Sequence, residues 1–406
     1  MWIHREIPPT AGFSLGIRDY WSLFKPSSYT KTLEDDFKEY VGVPYARVTY
    51  SGTAALYFIL ETLKNISQRR TVVIPSYVCP LVPLAVARAG FTVAICDMNG
   101  ESFDFNITEL EVMCKENPDI AAVIAVHLAG MPLDIEKIQA IATLHGIFII
   151  EDCAQSLGAE YKKRKAGSWG DFSFFSLCRG KGLTVYEGGV AVAGQSRYAE
   201  ILERTIQSLE KKDFLAEAVK IVELFGYGVF YRPLLFWFVF SLPRMFWESL
   251  GNVVRAYGED FDINFPVHRV SGIRRALGHA TFYRLDREID KQREKAFYFL
   301  SQLRDIPGVR ILPEFPLCRG TYPYLTVFFD DPCRRDTVLH ELERKGLGGS
   351  RVYVYAVTSY PYLRAIAGNK EFPVGSKYAR SALTISTSVF LRKEDMDSVI
   401  SVLRKN

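Results

Sequence analysis

Residues 149–155 read IIEDCAQ, a short β-branched apolar run that ends in two carboxylates. Such a run is typical of a strand buried on both faces of a sheet. In open α/β sheets, ligands bind outside the carboxyl ends of the strands. Asp152 is therefore placed where it could hold a protonated ring nitrogen, or where it could simply cap the following turn.

Similar apolar runs recur on both sides of this stretch, with helical patterns between them. The predicted strands are Thr71–Ile74, Phe91–Cys96, Ala121–Val126, Ile147–Ile150, Asp171–Ser176 and Gly189–Ala193. The predicted helices are Thr53–Lys64, Leu81–Ala89, Thr108–Lys115 and Ile135–His145. Strands that alternate with helices predict an α/β fold with a mostly parallel central sheet flanked by helices.

The alternation stops after Ala193, which predicts a change of architecture. The later pattern indicates a long helical stretch at Tyr198–Phe225, a charged helix from Val270 to about Leu303, a strand at Tyr324–Phe329, and helices at Arg334–Lys345 and Lys393–Lys405. We predict a large α/β domain over residues 1–262 and a smaller C-terminal α+β domain over residues 263–406.

Composition narrows the classes of protein without naming a function. The 406 residues are 48% hydrophobic and 24% charged, within the ordinary globular range, and the net charge of +4 is too small for a nucleic-acid-binding surface. The seven cysteines form no Cys-x-x-Cys pair and no metal-ligand spacing. We expect a reduced, cytoplasmic protein without a metal site and without a conventional membrane span.

Two further clusters could carry chemistry. Ser51, Gly52 and Thr53 open a helical run, where free N–H groups and the helix dipole suit a phosphate, although a plain N-cap explains them as well. Lys181 lies between two glycines after a predicted strand, where it could approach a ligand closely. Most lysines are merely solvated, so each cluster alone favours the simpler interpretation.

The ordered set of motifs is more specific than any one of them. It comprises Ser51-Gly52-Thr53, Pro75-Ser76, His127 with Gly130, Pro132-Leu133-Asp134, Glu151-Asp152 with Ala154-Gln155, Gly158-Ala159, Gly167 with Gly170-Asp171, Ser176 with Lys181, and Glu187-Gly188-Gly189. With this set the chain resembles the DegT/DnrJ/StrS-type sugar aminotransferases, from about Pro8 to Leu403. These are pyridoxal-phosphate enzymes with the aspartate-aminotransferase fold (fold type I).

The resemblance implies a role for each matching residue. Lys181 matches the lysine that binds pyridoxal phosphate covalently and later moves the proton, and Asp152 matches the aspartate facing the pyridine nitrogen. The other residues implied to bind the cofactor are Gly52, Thr53 and Ser176 at the phosphate, Gln155 near the ring hydroxyl, Ala154 against a ring face, and Cys79 beside the ring. The candidates for substrate binding are His127, Arg179 and Tyr355, although Arg179 could equally lie at the surface without meeting an anionic substrate group.

The implied reaction moves an amino group from glutamate to a keto-sugar nucleotide in a homodimer, for amino-sugar or surface-polysaccharide biosynthesis. Relatives that dehydrate sugars carry histidine in place of the lysine, so Lys181 favours transamination. Two alternatives stay open: a cofactor-binding or partner-binding module with low turnover, and another pyridoxal-phosphate reaction such as cysteine desulfuration.

Three positions depart from the family pattern and motivate those alternatives. Cys79 stands where many members place an aromatic ring, Arg179 stands in a segment that usually reads His-Pro, and Val267 replaces an asparagine that usually reaches the neighbouring subunit. Residues 351–355 match the place where relatives position substrate, although their alternation also fits an ordinary half-buried strand, which we favour.

An apolar insertion of about residues 226–250 lies within the large domain. Its longest uninterrupted apolar run, Leu234–Phe240, is far shorter than the roughly twenty residues that span a bilayer. Aromatic rings flanked by arginines suit a peripheral membrane contact through residues 228–248. A subunit-interface or domain-packing plug fits the same sequence, and the sequence alone favours it.

Overall fold

A seven-stranded sheet lies at the centre of the protein, in a computed structural model that describes residues 5–24, 31–312 and 314–405. The strands are β1 Tyr45–Thr49, β2 Thr71–Pro75, β3 Thr92–Cys96, β4 Ile120–Val126, β5 Phe148–Asp152, β6 Glu160–Tyr161, β7 Arg164–Lys165, β8 Phe172–Ser176, β9 Gly189–Ala193, β10 Val309–Ile311, β11 Cys318–Arg319, β12 Tyr324–Phe329, β13 Gly349–Ser350 and β14 Ala382–Ser386. The central sheet has the order β1-β9-β8-β5-β4-β2-β3.

Helices lie on both faces of this sheet and also in the C-terminal part of the chain. They are α1 Ile17–Trp21, α2 Leu33–Val41, α3 Gly52–Ile66, α4 Leu81–Arg88, α5 Ile107–Glu116, α6 Ile135–His145, α7 Ser196–Leu209, α8 Phe214–Phe230, α9 Pro233–Val239, α10 Ser241–Ser249, α11 Val253–Ala256, α12 Gly272–Phe282, α13 Leu285–Leu303, α14 Pro332–Arg344, α15 Arg364–Ala367, α16 Pro373–Ser381 and α17 Lys393–Lys405. Single turns of 3₁₀-helix occur at Ser22–Phe24, Leu128–Gly130, Val357–Ser359 and Pro361–Leu363.

The sheet is mostly parallel, as predicted. Strands β3, β2, β4, β5 and β8 are joined by parallel pairings, whereas β9 runs antiparallel to both β8 and β1. Every residue of β4 is buried, because this strand lies inside the sheet with helices over both faces. The predicted α/β fold is confirmed, and the six predicted strands of this region are all present.

Two predicted helices are each divided in the structure. The stretch Tyr198–Phe225 contains α7 and α8, because Asp213 caps α8 by accepting the Ala216 N–H at 2.9 Å. The break is also fixed by Lys211, whose carbonyl accepts the Arg269 N–H at 2.8 Å. The stretch from Val270 to Leu303 contains α12 and α13, which are separated by a turn.

A second, antiparallel sheet with the order β10-β12-β14-β13 forms the C-terminal α+β part. Strand β12 has the predicted bounds and lies inside this sheet, with α13, α14 and α17 in contact with its elements or with one another. Strands β10, β13 and β14 and helix α16 were not predicted. The boundary at residues 262 and 263 stays a prediction.

The apolar insertion is helical. It comprises the end of α8, then α9 and α10, and its inner side is anchored by Tyr227, Tyr231, Phe236 and Trp237, which are buried. The Tyr231 hydroxyl donates to the Thr10 carbonyl at 2.9 Å and accepts the Gly12 N–H at 2.9 Å. Within the described part of the chain, no helix has both the length and the apolar character needed to cross a membrane.

Candidate active site

A cavity of about 480 Å³ opens where three neighbouring parallel strands of the central sheet end. Val126, Asp152 and Ser176, the last residues of β4, β5 and β8, all line it. The structure brings most of the predicted site residues together in its wall: Gly52, Thr53, Cys79, His127, Asp152, Ala154, Gln155, Ser176, Arg179 and Lys181. Tyr355 is not among the lining residues.

The amino-terminal end of α3 forms one wall of the cavity. Ser51 caps this helix, because its Oγ accepts the Ala54 N–H at 3.0 Å. The preceding N–H groups, of Gly52 and Thr53, have no intrahelical acceptor and can meet an anion. A Cβ at Gly52 would lie 3.2 Å from Ser176 Cβ, so glycine allows the helix end to pack directly against the end of β8. Ser51 therefore caps the helix while the N–H groups of Gly52 and Thr53 stay available to an anion, so the two predicted roles are compatible.

Asp152 is buried at the base of the cavity. The Ala154 N–H donates to Oδ1 at 2.9 Å, and Oδ2 has no donor among the described residues. Burial raises the pKa of Asp152 to about 6, against the opposing effects of the Ala154 N–H and the nearby Lys181 charge. The carboxylate therefore has one fixed oxygen and one that can meet a cationic group in the cavity.

The predicted substrate residue His127 is held by the protein through both ring nitrogens. Nδ1 accepts the Leu133 N–H at 3.0 Å, which assigns the ring proton to Nε2, 2.9 Å from a Glu151 oxygen. Glu151 also accepts three backbone N–H groups, from Gly167, Trp169 and Gly170. Glu151 is thus a structural anchor, and His127 presents its ring to the cavity with no nitrogen left to bind substrate.

Gln155 is oriented by a network that the sequence analysis did not identify. Its Oε1 accepts the Ala129 N–H at 2.9 Å and the Tyr324 hydroxyl at 2.5 Å, and its Nε2 donates to the Tyr353 hydroxyl at 3.0 Å. Tyr353 also lines the cavity. The signal for it lay in the tyrosine-rich stretch around residue 355, from which the family resemblance selected Tyr355 and not Tyr353.

The predicted strand at residues 351–355 is wrong. Three successive backbone N–H groups donate to side chains instead of a neighbouring strand: Tyr353 to the Tyr77 hydroxyl, Val354 to the Glu259 carboxylate and Tyr355 to the Tyr360 hydroxyl. This irregular path turns Tyr353 into the cavity and leaves Tyr355 37% exposed against Tyr360. The role of Tyr355 in substrate binding stays a prediction.

Glu259 is a second residue of the cavity wall that the sequence did not reveal. It is buried and also binds the Tyr360 hydroxyl, and burial raises its pKa to about 7. It lies where the chain returns from the apolar insertion, so it ties the end of that segment to the tyrosine-rich stretch. No local pattern in the sequence marks this long-range contact.

Lys181 lines the cavity on the loop that follows β8. Its backbone is fixed at both ends, since its N–H donates to the Cys178 carbonyl at 3.2 Å and its carbonyl accepts the Phe13 N–H at 2.9 Å. Its charge lowers the pKa of both Asp152 and Cys79, against the larger effect of burial. The amine, the buried carboxylate and the thiol therefore share one cavity.

Two of the three residues that depart from the family pattern, Cys79 and Arg179, line this cavity. Burial raises the pKa of the Cys79 thiol to about 12, so the thiol is protonated at neutral pH. Arg179 is exposed, with its guanidinium 5.8 Å from the centroid of the Tyr186 ring, and it makes no ion pair with any described carboxylate. Arg179 also lines a second cavity, formed largely by the apolar insertion.

The donor set fits pyridoxal phosphate. An amine able to bind a carbonyl, a buried carboxylate with a free oxygen and an anion-binding helix end all face one cavity. Together with a mostly parallel sheet whose carboxyl edge carries the site, these features define a fold type I aminotransferase.

Comparison with known proteins identifies the family. The sequence profile of the DegT/DnrJ/EryC1/StrS aminotransferase family matches residues 21–227 and 257–404, so the chain belongs to that family. The predicted family is confirmed, as is the prediction that the chain is an aminotransferase. The match passes over residues 228–256, which contain most of the apolar insertion.

Individual relatives are distant but extend over nearly the whole chain. GDP-perosamine synthase of Vibrio cholerae is 24% identical over 88% of this chain and 85% of its own length. The structure resembles that of Helicobacter pylori PseC, an aminotransferase involved in the biosynthesis of pseudoaminic acid, with a TM-score of 0.77, 17% identity and 98% coverage of both chains. It also resembles the PLP-form of Streptococcus pneumoniae Spr1654, described as a putative sugar aminotransferase, with a TM-score of 0.74, 18% identity and 98% coverage of both chains.

Proposed function

We propose that this protein is a homodimeric, pyridoxal-phosphate-dependent sugar aminotransferase that moves an amino group from glutamate to a keto-sugar carried on a nucleoside diphosphate. The observation that carries the proposal is the meeting of Lys181 and Asp152 with the end of α3 in one cavity. The names of relatives support the substrate class, since one is a GDP-perosamine synthase. Such a reaction would serve amino-sugar and surface-polysaccharide biosynthesis.

Lys181 and Asp152 would have different roles in the reaction. Pyridoxal phosphate, when bound, supplies an electron-accepting ring. Lys181 Nζ would hold the cofactor covalently and then, once released, take and return the proton of the substrate. The free Oδ2 of Asp152 would keep a ring nitrogen protonated, because an ionised carboxylate in a buried site favours a neighbouring positive charge.

The remaining residues of the cavity would position the cofactor and the substrate. Gly52 and Thr53 would bind the phosphate through backbone N–H groups, with Ser176 beside them at the end of β8. Gln155, fixed by the Tyr324 and Tyr353 hydroxyls, would be held in one orientation toward the ring. Arg179, which lacks a described carboxylate partner, is the cation best placed to meet an anionic substrate group.

The alternative of cysteine desulfuration receives no support from Cys79. A nucleophilic thiol needs a lowered pKa, whereas burial raises the pKa of this one. The low-turnover alternative is also weakened, because the cavity retains the lysine and the carboxylate that transamination needs.

The proposal is tested by the absorbance of the purified protein with pyridoxal phosphate. We expect a bound chromophore that glutamate bleaches and that a keto-sugar nucleotide restores. Lys181→Ala should form no covalent link to the cofactor after borohydride reduction, as read by intact mass. The control Lys115→Ala changes an exposed lysine remote from the cavity and should behave as wild type. A wild-type protein that acquires no chromophore would exclude the proposal.

A further inference from the structure

The helices from Phe214 to Leu250 present an unusual surface to the outside. The structure describes every residue from 214 to 250, and none of the exposed ones is charged. We call these exposed residues the outer face. Its large apolar members are Phe214, Leu215, Val219, Val222, Phe225, Val229, Phe230, Leu234, Phe238, Val239, Leu242, Met245, Phe246 and Leu250. Fourteen exposed large apolar side chains on three consecutive helices, with no exposed charge among them, indicate an interaction site in a folded protein.

The charged side chains of the same helices are bonded within the protein, including Glu223 with Lys220 at 2.8 Å and Glu248 with Arg244 at 3.4 Å; the side chains of Glu223 and Glu248 are each 35% exposed. Glu217 pairs with the buried Arg274, Lys220 pairs with Glu187 at 3.4 Å, and Arg244 pairs with Glu343. Arg232 donates to the Leu15 carbonyl at 2.7 Å. A helix that faces water carries its charges outside and its apolar residues inside, so this arrangement is the reverse of the ordinary one.

The chemistry of the outer face fits hydrocarbon better than a protein partner. Protein interfaces carry about one hydrogen bond per 100–200 Å² and therefore need polar side chains. Among the exposed residues 214–250, Ser249 alone has a polar side chain, and its hydroxyl donates to the Phe246 carbonyl at 2.7 Å. The face thus offers a partner almost no free side-chain donor or acceptor.

Cations border the outer face at both ends. Lys211 and Lys212 are exposed directly before α8, next to the exposed Asp213. Arg255 is exposed after α10, with its guanidinium 4.2 Å from the centroid of the Trp247 ring and its Nε 3.6 Å from the Asp260 carboxylate. A further edge comes from α1, where Tyr20 stacks on Phe225 at 4.7 Å and Trp21 is 64% exposed. Cations and tryptophan at the rim of an apolar face suit the headgroup region of an anionic bilayer.

We propose that the outer face docks on the surface of a membrane rich in anionic lipids, with its apolar side chains in the acyl boundary and Lys211, Lys212 and Arg255 among the headgroups. The helices lie in the interface and do not cross it, consistent with their lengths of 17, 7 and 9 residues. The inner side of the apolar insertion packs on the protein as a plug would, while its outer side binds lipid.

Docking in this orientation would bring the active site close to the membrane. A cavity of about 610 Å³ is lined by Phe230 and Val239 of the outer face and also by Arg179. Arg179 lines the active-site cavity as well. One cavity therefore extends between the lipid-binding face and the cation that borders the catalytic lysine.

The test is flotation of the full-length protein with vesicles of phosphatidylglycerol and phosphatidylethanolamine in equal parts. We expect wild type to float with these vesicles and a triple variant, Leu215→Ser with Leu234→Ser and Phe246→Ser, to bind about tenfold more weakly or worse. The control triple variant changes Val112, Leu144 and Ile273 to Ser, which are 47%, 75% and 48% exposed on other helices. It should float as wild type does.

A second experiment tests whether Lys211 and Lys212 contribute to membrane binding. The variant Lys211→Gln with Lys212→Gln should bind these vesicles several-fold more weakly, with no change on pure phosphatidylcholine. Urea midpoints of all variants should match wild type, since the substituted side chains are exposed. Failure of wild type to float, or equal flotation of the first triple variant, would overturn the proposal. So would loss of dimer mass in that variant without flotation of wild type, which would assign the face to a second copy.

Discussion

Replacing Asp152 with Asn separates the contribution of the carboxylate to catalysis from its effect on the free energy of unfolding. Burial raises the pKa of Asp152 to about 6 from 3.8. Between these two pH values the folded apoprotein holds a proton that the unfolded chain has released, so the free energy of unfolding falls as the pH rises. At about 1.4 kcal/mol per pKa unit, the ionised carboxylate costs about 3 kcal/mol above pH 6.

Asp152→Asn removes this cost and keeps an oxygen to accept the Ala154 N–H. We expect the variant apoprotein to be more stable than wild type by about 3 kcal/mol at pH 7.5 and by about half that at pH 5. The same variant should transfer the amino group of glutamate about 100-fold more slowly or worse, because the charge that favours a protonated ring nitrogen is lost.

Urea unfolding of the cofactor-free proteins at both pH values measures the stability difference. Asp305→Asn is the matched control, because Asp305 is exposed and should leave stability unchanged at either pH. A difference between wild type and Asp152→Asn that does not grow with pH, or that has the opposite sign, would show that the carboxylate is not desolvated in the way the structure indicates.

Two other substitutions test the surrounding structure. Glu217→Gln removes the charge partner of Arg274, whose side chain is fully buried, and should lower the free energy of unfolding by about 3–5 kcal/mol. The control Glu200→Gln, in the exposed pair with Arg204, should lower it by less than about 1 kcal/mol. Equal losses in urea titrations would contradict the assigned burial. Cys79→Ala should retain glutamate-dependent bleaching of the chromophore, since the thiol is protonated and unused; loss of that half-reaction while the cofactor still binds would restore a chemical role for Cys79.

The sequence predicted the sheet well because buried parallel strands are apolar throughout. Strand β4 shows this most clearly, since every residue of it is buried and every residue of its run is apolar. Helix ends were predicted less well. The interruption between α7 and α8 depends on Asp213 as a cap and on a tertiary contact of Lys211, and only the first of these has a local signature.

The site residues could be predicted where the family motifs lie at the ends of strands. They could not be predicted where segments distant in sequence contribute side chains to the cavity. The residues around Asp152 and Ser176 follow from the strands that carry them. Tyr353 and Glu259 reach the cavity because hydrogen bonds join Glu259 to Val354 and Tyr360, which lie 95 and 101 residues further along the chain. These bonds replace the regular strand that the alternation suggests. Periodicity cannot anticipate such side-chain to backbone contacts.

The most direct test of the proposed reaction is the fate of the amino nitrogen. The protein is incubated with pyridoxal phosphate, glutamate labelled with nitrogen-15 and a panel of 3-keto and 4-keto sugar nucleotides, and the products are weighed by mass spectrometry. The proposed reaction predicts that the label appears in an amino-sugar nucleotide with wild type and not with Lys181→Ala. Label that leaves glutamate without entering any sugar nucleotide, or that never leaves glutamate, would contradict it.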